Sequence, residues 1–249
     1  MNFTFKPLAM AAVLAIGSLA LPAWAINVID LTTSGSSGSV TVGGKTGTFV
    51  QSFDQSTGTG VLNPFLRLQA TGTEIGFNTD AGSVPFDDKA GIWTHALLFS
   101  DMVLDPTGKY RFFLDINQTS ANPLLTLNDL RFYRSDSAVL TTNVGLTELW
   151  NMDGGAQGDT SVELNYSLNP GSGGGDMYFT LDASALTGGT GKYLYMYTSF
   201  GNANGSNDGF EEWATKTATA PVPEPGTYAL MLAGLGVVGF MAKRRRAQG

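Results

Sequence analysis

The sequence predicts an all-β fold, an antiparallel β-sandwich of jelly-roll type. Three observations predict it. About ten short runs rich in β-branched and aromatic residues are separated by turn signals. No stretch between residues 26 and 214 carries the apolar period of a long amphipathic helix. Residues 26–220 hold 26 of the 32 glycines, many beside Ser, Thr, Asn or Asp, which is the composition of tight turns.

The elements follow in order. Residues 26–31 read as a first strand, and the Ser/Gly/Thr stretch 32–44 as loop or frayed edge. Residues 47–53 alternate and read as a strand, broken by the Gly/Thr turn at 56–60. Strand candidates at 61–70 and 73–77 precede an acidic loop at 78–89. Short apolar runs at 93–99 and 110–116 flank Asp105-Pro106-Thr107-Gly108, a turn by composition. Further strands are expected at 125–133, 146–152, 162–168, 177–181 and 192–200, with a Gly-rich loop at 169–176. In the last of these strands Tyr193, Tyr195 and Tyr197 share one face, and Leu194 and Met196 the other. Residues 211–214 close the domain, and a Thr/Ala/Pro linker follows at 215–221. The expected organisation is 1–25, 26–214, 215–221 and 222–249.

The two ends have a different character. Lys6 precedes an apolar run at 8–21, and Ala23-Trp24-Ala25 supplies the small-x-small pattern that signal peptidase accepts. This order predicts a signal peptide cut between Ala25 and Ile26. At the other end Val222-Pro223-Glu224-Pro225-Gly226 is held extended by its prolines, as a processing enzyme requires. An apolar, Gly-rich run at 228–242 follows, slightly short for a ~30 Å hydrocarbon core unless residues 225–227 join it. It is expected to form a transmembrane helix. Lys243, Arg244, Arg245 and Arg246 then form a cytoplasmic stop.

This tripartite tail closely resembles the PEP-CTERM sorting signal. The resemblance implies recognition by exosortase, an integral membrane enzyme, with transient residence in the inner membrane. It implies delivery to the cell surface or to an extracellular, exopolysaccharide-containing biofilm matrix. The body also looks like a set of PEP-CTERM proteins with the same layout. The residues concerned include Asn63-Pro64-Phe65-Leu66-Arg67, residues 72–79, Trp93-Thr94-His95, residues 113–117 and Asp208-Gly209-Phe210-Glu211-Glu212-Trp213. No biochemical activity comes with that second resemblance. The glycines Gly234, Gly236 and Gly239 match a dinucleotide-binding pattern by letter only, because the chain lacks the following crossover and acidic residue.

Charge narrows the partners. The net charge is −7, but Lys6 and the four tail cations belong to the ends. Residues 26–220 carry 9 basic and 20 acidic side chains, a net of −11, which disfavours nucleic acid and anionic membrane surfaces. The chain has no cysteine, which removes thiolate zinc sites and cysteine nucleophiles.

Candidate chemistry is sparse. His95 is the single histidine, and no G-x-S-x-G elbow accompanies it, so it reads as a structural residue. Paired carboxylates for glycoside hydrolysis would come from Asp80, Asp87, Asp88, Asp115, Asp153, Asp176, Asp208, Glu211 and Glu212, most of which sit beside turn residues. A structural calcium would find hard oxygens at Asn202, Asn204, Ser206, Asn207, Asp208 and Glu211, although Thr215 stands where an EF-hand needs Glu. Trp93, Trp150, Trp213 and the tyrosine face are the candidates for stacking on sugar rings. The sequence therefore points to a non-enzymatic, exported surface or matrix protein with a structural or adhesive role, without catalytic residues or a dedicated metal. Its alternatives are a carbohydrate-binding module, calcium-dependent or not, and a polysaccharide-degrading enzyme.

Overall fold

The structure is a computed structural model that describes residues 26–51, 64–82, 86–171, 173, 175–207 and 209–217. Among these residues the chain is built from two β-sheets and a short two-stranded ribbon. The first sheet has seven strands. Its main path runs β1 (Asn27–Asp30), β11 (Thr160–Asn165), β9 (Leu124–Ser135), β13 (Tyr193–Phe200) and β6 (Glu74–Phe77). Off this path, β10 (Glu148–Asn151) pairs with β9, and β7 (Leu97–Leu98) with β13. The second sheet runs β2 (Ser37–Val42), β3 (Lys45–Val50), β12 (Met177–Asp182), β8 (Lys109–Asp115), β15 (Glu211–Thr215) and β4 (Pro64–Leu68). The ribbon pairs β5 (Thr71–Gly72) with β14 (Ser206–Asn207). Every strand pair is antiparallel except β1 with β11. Among the described residues the one α-helix, α1 (Ala183–Thr187), spans five residues.

The period-two pattern of the strands sends one set of side chains between the sheets. Tyr110, Phe112 and Leu114 of β8 point inward, and Arg111, Phe113 and Asp115 take the other face. The centre of the core is aromatic. Phe49, Phe112 and Phe179 of the second sheet meet Phe132 and Trp150 of the first, with ring centroids 4.6–6.3 Å apart. Gly47 makes this packing feasible. A Cβ there would lie 2.6 Å from the Trp150 ring and 2.7 Å from Phe179, so only glycine lets the indole rest on β3.

The tyrosine face of β13 lies on the outer side of its sheet. Leu194 and Met196 face the main core, whereas Tyr195 joins Phe77 and Tyr133 in a second apolar cluster. Phe86, Leu140 and Leu146, from the flanking loops, cover it.

Three segments refine the sequence expectation. Residues 37–42, within the stretch read as loop or frayed edge, form β2, an edge strand. Its inward Val40 is fully buried while Ser37, Ser39 and Thr41 face outward, so few apolar residues mark it. The run 93–99 yields only the two-residue β7 and a 3₁₀ turn at Phe99–Asp101. Residues 211–215 lie inside the second sheet between β8 and β4, where a closing segment was expected.

Candidate functional site

The acidic candidates divide into groups on opposite faces of the second sheet. On its outer face the register places Asp115 of β8 opposite Glu212 of β15, and Glu212 opposite Arg67 of β4. Asp176 precedes β12 and joins the row, because its backbone N–H donates to the Leu114 carbonyl at 2.8 Å. All three acids are buried.

Each carboxylate of this row has donors supplied by the fold. Asp115 accepts from the backbone N–H groups of Gly173 at 2.7 Å and Gly175 at 3.2 Å. Asp176 accepts from Ile116 N–H at 2.8 Å. Glu212 pairs with the Arg67 guanidinium, whose carbon lies 4.6 Å from the Trp93 ring centroid and 4.8 Å from that of Phe210. Burial pushes the Asp115 carboxyl up to about 6 despite its two backbone donors, and the Glu212 charge adds to the rise. Burial likewise pushes Asp176 up to about 8, with Asp115 adding to it. The row ties the glycines at 173 and 175 to β8, and Asn169 reinforces the loop through the Gly175 carbonyl at 2.8 Å.

Glu211, the neighbour of Glu212, takes the opposite face. It is fully buried between the sheets and accepts from Gln118 Nε2 at 2.7 Å. Its approach is fixed by Gly209, where a Cβ would fall 1.4 Å from the Asn117 carbonyl oxygen. Glu211 lies in hydrogen-bond contact with Glu74 of β6. Glu74 was not among the catalytic candidates. The apolar Ile75 and Phe77 suggest the wrong inward parity for β6, since Glu74 and Gly76 face the other sheet.

The remaining acids do not join either group. Asp80 accepts from Ala96 N–H at 2.8 Å, Asp87 from Ile75 N–H at 2.9 Å and Asp153 from Thr160 N–H at 3.0 Å. Asp88 accepts from Phe77 N–H at 3.3 Å, and burial pushes it up to about 7. Asp208 lies outside the described residues.

The oxygen-rich loop after β13 is spent on separate protein contacts. Asn202 N–H donates to Asn128, Asn204 donates to Glu163 at 2.8 Å, and Asn207 engages Thr119 and Asn122. Glu211 meets Glu74 instead, and the Ser206 hydroxyl is buried without a hydrogen-bond partner. Among the described residues no group of three or more His, Cys, Asp or Glu side chains is arranged to hold a metal ion. An open hollow of about 460 Å³ lies beside this loop, lined by Asn122, Pro123, Leu124, Asn204, Gly205 and Asn207 among others.

Of the stacking candidates, Trp150 and Trp213 are core residues at 1% and 0% exposure. Tyr195 is buried and donates its hydroxyl to the Ser137 carbonyl at 2.6 Å. Trp93, Tyr193 and Tyr197 stay half-buried. His95 has Nδ1 3.1 Å from the Ala96 carbonyl, and its backbone N–H bonds Phe65.

Ile26 opens the described chain, exposed, just ahead of β1. The remaining processing candidates, Ala23, Ala25, Val222, Pro223, Glu224, Pro225, Gly226, Lys243, Arg244, Arg245 and Arg246, lie outside the described residues, as does the expected transmembrane helix. Among the described residues no helix is long and apolar enough to cross a membrane. A family model described as the PEP-CTERM protein-sorting motif matches residues 221–246. No curated protein and no solved structure matches the chain.

Proposed function

We propose, for a chain whose residues 221–246 are a PEP-CTERM sorting motif and mark it as an exported substrate of exosortase, that the folded body is a non-catalytic structural or adhesive component of the cell surface or exopolysaccharide matrix. In this reading signal peptidase releases the front at Ile26 and exosortase acts on the tail. We read the two-sheet body as a jelly-roll-type sandwich, because early and late strands alternate within both sheets.

One observation carries the non-catalytic part. Of the candidate acids, the adjacent Glu211 and Glu212 point to opposite faces, and the row Asp115, Asp176 and Glu212 is buried behind backbone donors and Arg67. A glycosidase needs two carboxyl groups opening onto one substrate cleft. The test is fractionation of wild-type and exosortase-deleted cells, with and without matrix, probed for the body. The reading expects retention with surface or matrix in wild type and accumulation in the inner membrane in the deletion strain. Equal release in both strains would overturn it, and so would reducing-end release from the host exopolysaccharide.

A second reading is a carbohydrate-binding module. It is favoured by Phe210, 36% exposed, and Trp93, which hold Arg67 between them at the edge of the acidic row. Glycan-array binding lost on Phe210→Ala would support it.

A further inference from the structure

Glu74 and Glu211 are both fully buried, and each comes from a different sheet. Glu74 faces inward from β6 in register with Phe200. Glu211 faces inward from β15 in register with Leu68. One oxygen of each carboxyl has a donor: Ala70 N–H reaches Glu74 Oε2 at 2.9 Å, and Gln118 Nε2 reaches Glu211 Oε1 at 2.7 Å. The other oxygens, Glu74 Oε1 and Glu211 Oε2, are buried and receive no donor from the rest of the fold. The two side chains are in hydrogen-bond contact with each other.

Two carboxylates in contact cannot form a hydrogen bond unless one carries a proton. Two charges placed there, out of water, would each incur desolvation and would repel one another. The surroundings offer no relief. Arg67 and Arg111 of the adjacent strands turn to the outer face, toward Glu212 and Asp105. Asp87, which bonds Ile75 N–H, adds a third negative charge near Glu74. Gln118, Ser206 and the Ala70 amide are uncharged.

We propose that Glu74 and Glu211 share one proton and so form a clasp between the two sheets, which fixes the β5–β14 ribbon and with it one wall of the 460 Å³ hollow. The ribbon is tied to the clasp from both strands. Asn207 N–H of β14 donates to Gln118, the residue that holds Glu211, and on the β5 side Ala70 N–H donates to Glu74. Ala70 precedes β5 directly. Gly205 and Asn207 line the hollow on either side of Ser206. Loss of the proton therefore loosens the ribbon first, and the hollow changes shape with it.

The sign follows from the two states. Burial pushes both carboxyls above their ordinary value of 4.5, and the Glu74 charge raises Glu211 further. The opened pair releases its protons near the ordinary value, whereas the closed pair keeps one. The contribution of the clasp is full below that value and is lost as pH rises through the raised range.

The test is backbone hydrogen exchange in the purified exported protein at Ala70, Ser206 and Asn207, corrected for the intrinsic pH dependence of exchange. Wild type is expected to lose protection about tenfold per pH unit as pH rises above the ordinary glutamate value of 4.5, because one proton separates closed from open. Glu74→Gln and Glu211→Gln replace the shared proton with an amide donor, and protection should then be flat with pH. Flat protection in wild type, or an unchanged slope in both variants, overturns the proposal. Should either variant fail to fold, a carbon-13 titration of the wild-type glutamate carboxyls decides. One carboxyl that titrates well above the ordinary value supports the clasp, and ordinary titration of all of them overturns it. A melting temperature raised by calcium in wild type and not in Glu74→Gln would place a cation where the proton is proposed, and would also overturn it.

Discussion

Glu211 and Glu212 are adjacent in the chain and meet opposite solutions to the same problem. Glu212 points to the outer face of its sheet, where Arg67 neutralises it and Trp93 and Phe210 shield the pair from both sides. Glu211 points between the sheets, where its partner is another carboxyl. A buried acid must find a counter-charge, a set of donors or a proton. Glu212 uses the first, Asp115 the second, and Asp176 and the inner pair the third. The Glu212–Arg67 pair is thus held by opposite charges and the inner pair by a proton, so the two should respond to mutation and to pH in different ways.

The largest expected effect breaks the outer solution. Arg67→Ala leaves Glu212 buried without its cation, and removal of one partner from a buried pair costs about 3–5 kcal/mol. Urea denaturation would measure it. Glu211→Gln should cost far less at neutral pH, because the amide supplies the missing donor. A smaller loss for Arg67→Ala than for Glu211→Gln would reverse the comparison.

The next effect is in pH. Asp115, Asp88 and Asp176 keep their protons to about 6, about 7 and about 8, whereas in the unfolded chain they titrate near 3.8. The folded state then binds more protons than the unfolded state over this window, so stability falls as pH rises through it. The melting temperature should be higher near pH 5 than near pH 8. Asp176→Asn keeps an oxygen for Ile116 N–H and removes the ionisable group. It should therefore raise the melting temperature at the upper end of the window and change little at the lower end. A melting temperature that climbs steadily across this window would contradict the buried-acid account.

The sequence carried these features unequally. The all-β class was readable because alternation and turn composition are local, as in β13 with its tyrosine and Leu/Met faces. The sorting tail was readable for the same reason, since a processing motif acts as a linear segment. The sites were not readable, because they are made by register. Asp115 and Glu212 are neighbours only after β8 and β15 pair, and 96 residues of chain lie between them. Glu74 was hidden by the apolar Ile75 and Phe77, which alternate with an inward-facing glutamate and glycine. Phe77 serves the second cluster, around Tyr195, on the outer side of the sheet. The burial of Trp150 also depends on a distant residue, the glycine at 47.

The smallest expected effect bears most directly on function. Phe210 covers one side of the Arg67 guanidinium and is partly exposed. Its removal forfeits a cation–π contact worth about 0.5–1 kcal/mol at such a site, while Trp93 remains on the other side. If Phe210 only shields the Arg67–Glu212 pair, Phe210→Ala lowers stability by this amount and leaves matrix retention unchanged. If the ring is a stacking platform for a sugar, retention falls although the fold survives. Paired measurements of the urea midpoint and of matrix-bound protein in the same variant separate the two, because a loss this small cannot empty the folded state of a domain with several kcal/mol in reserve.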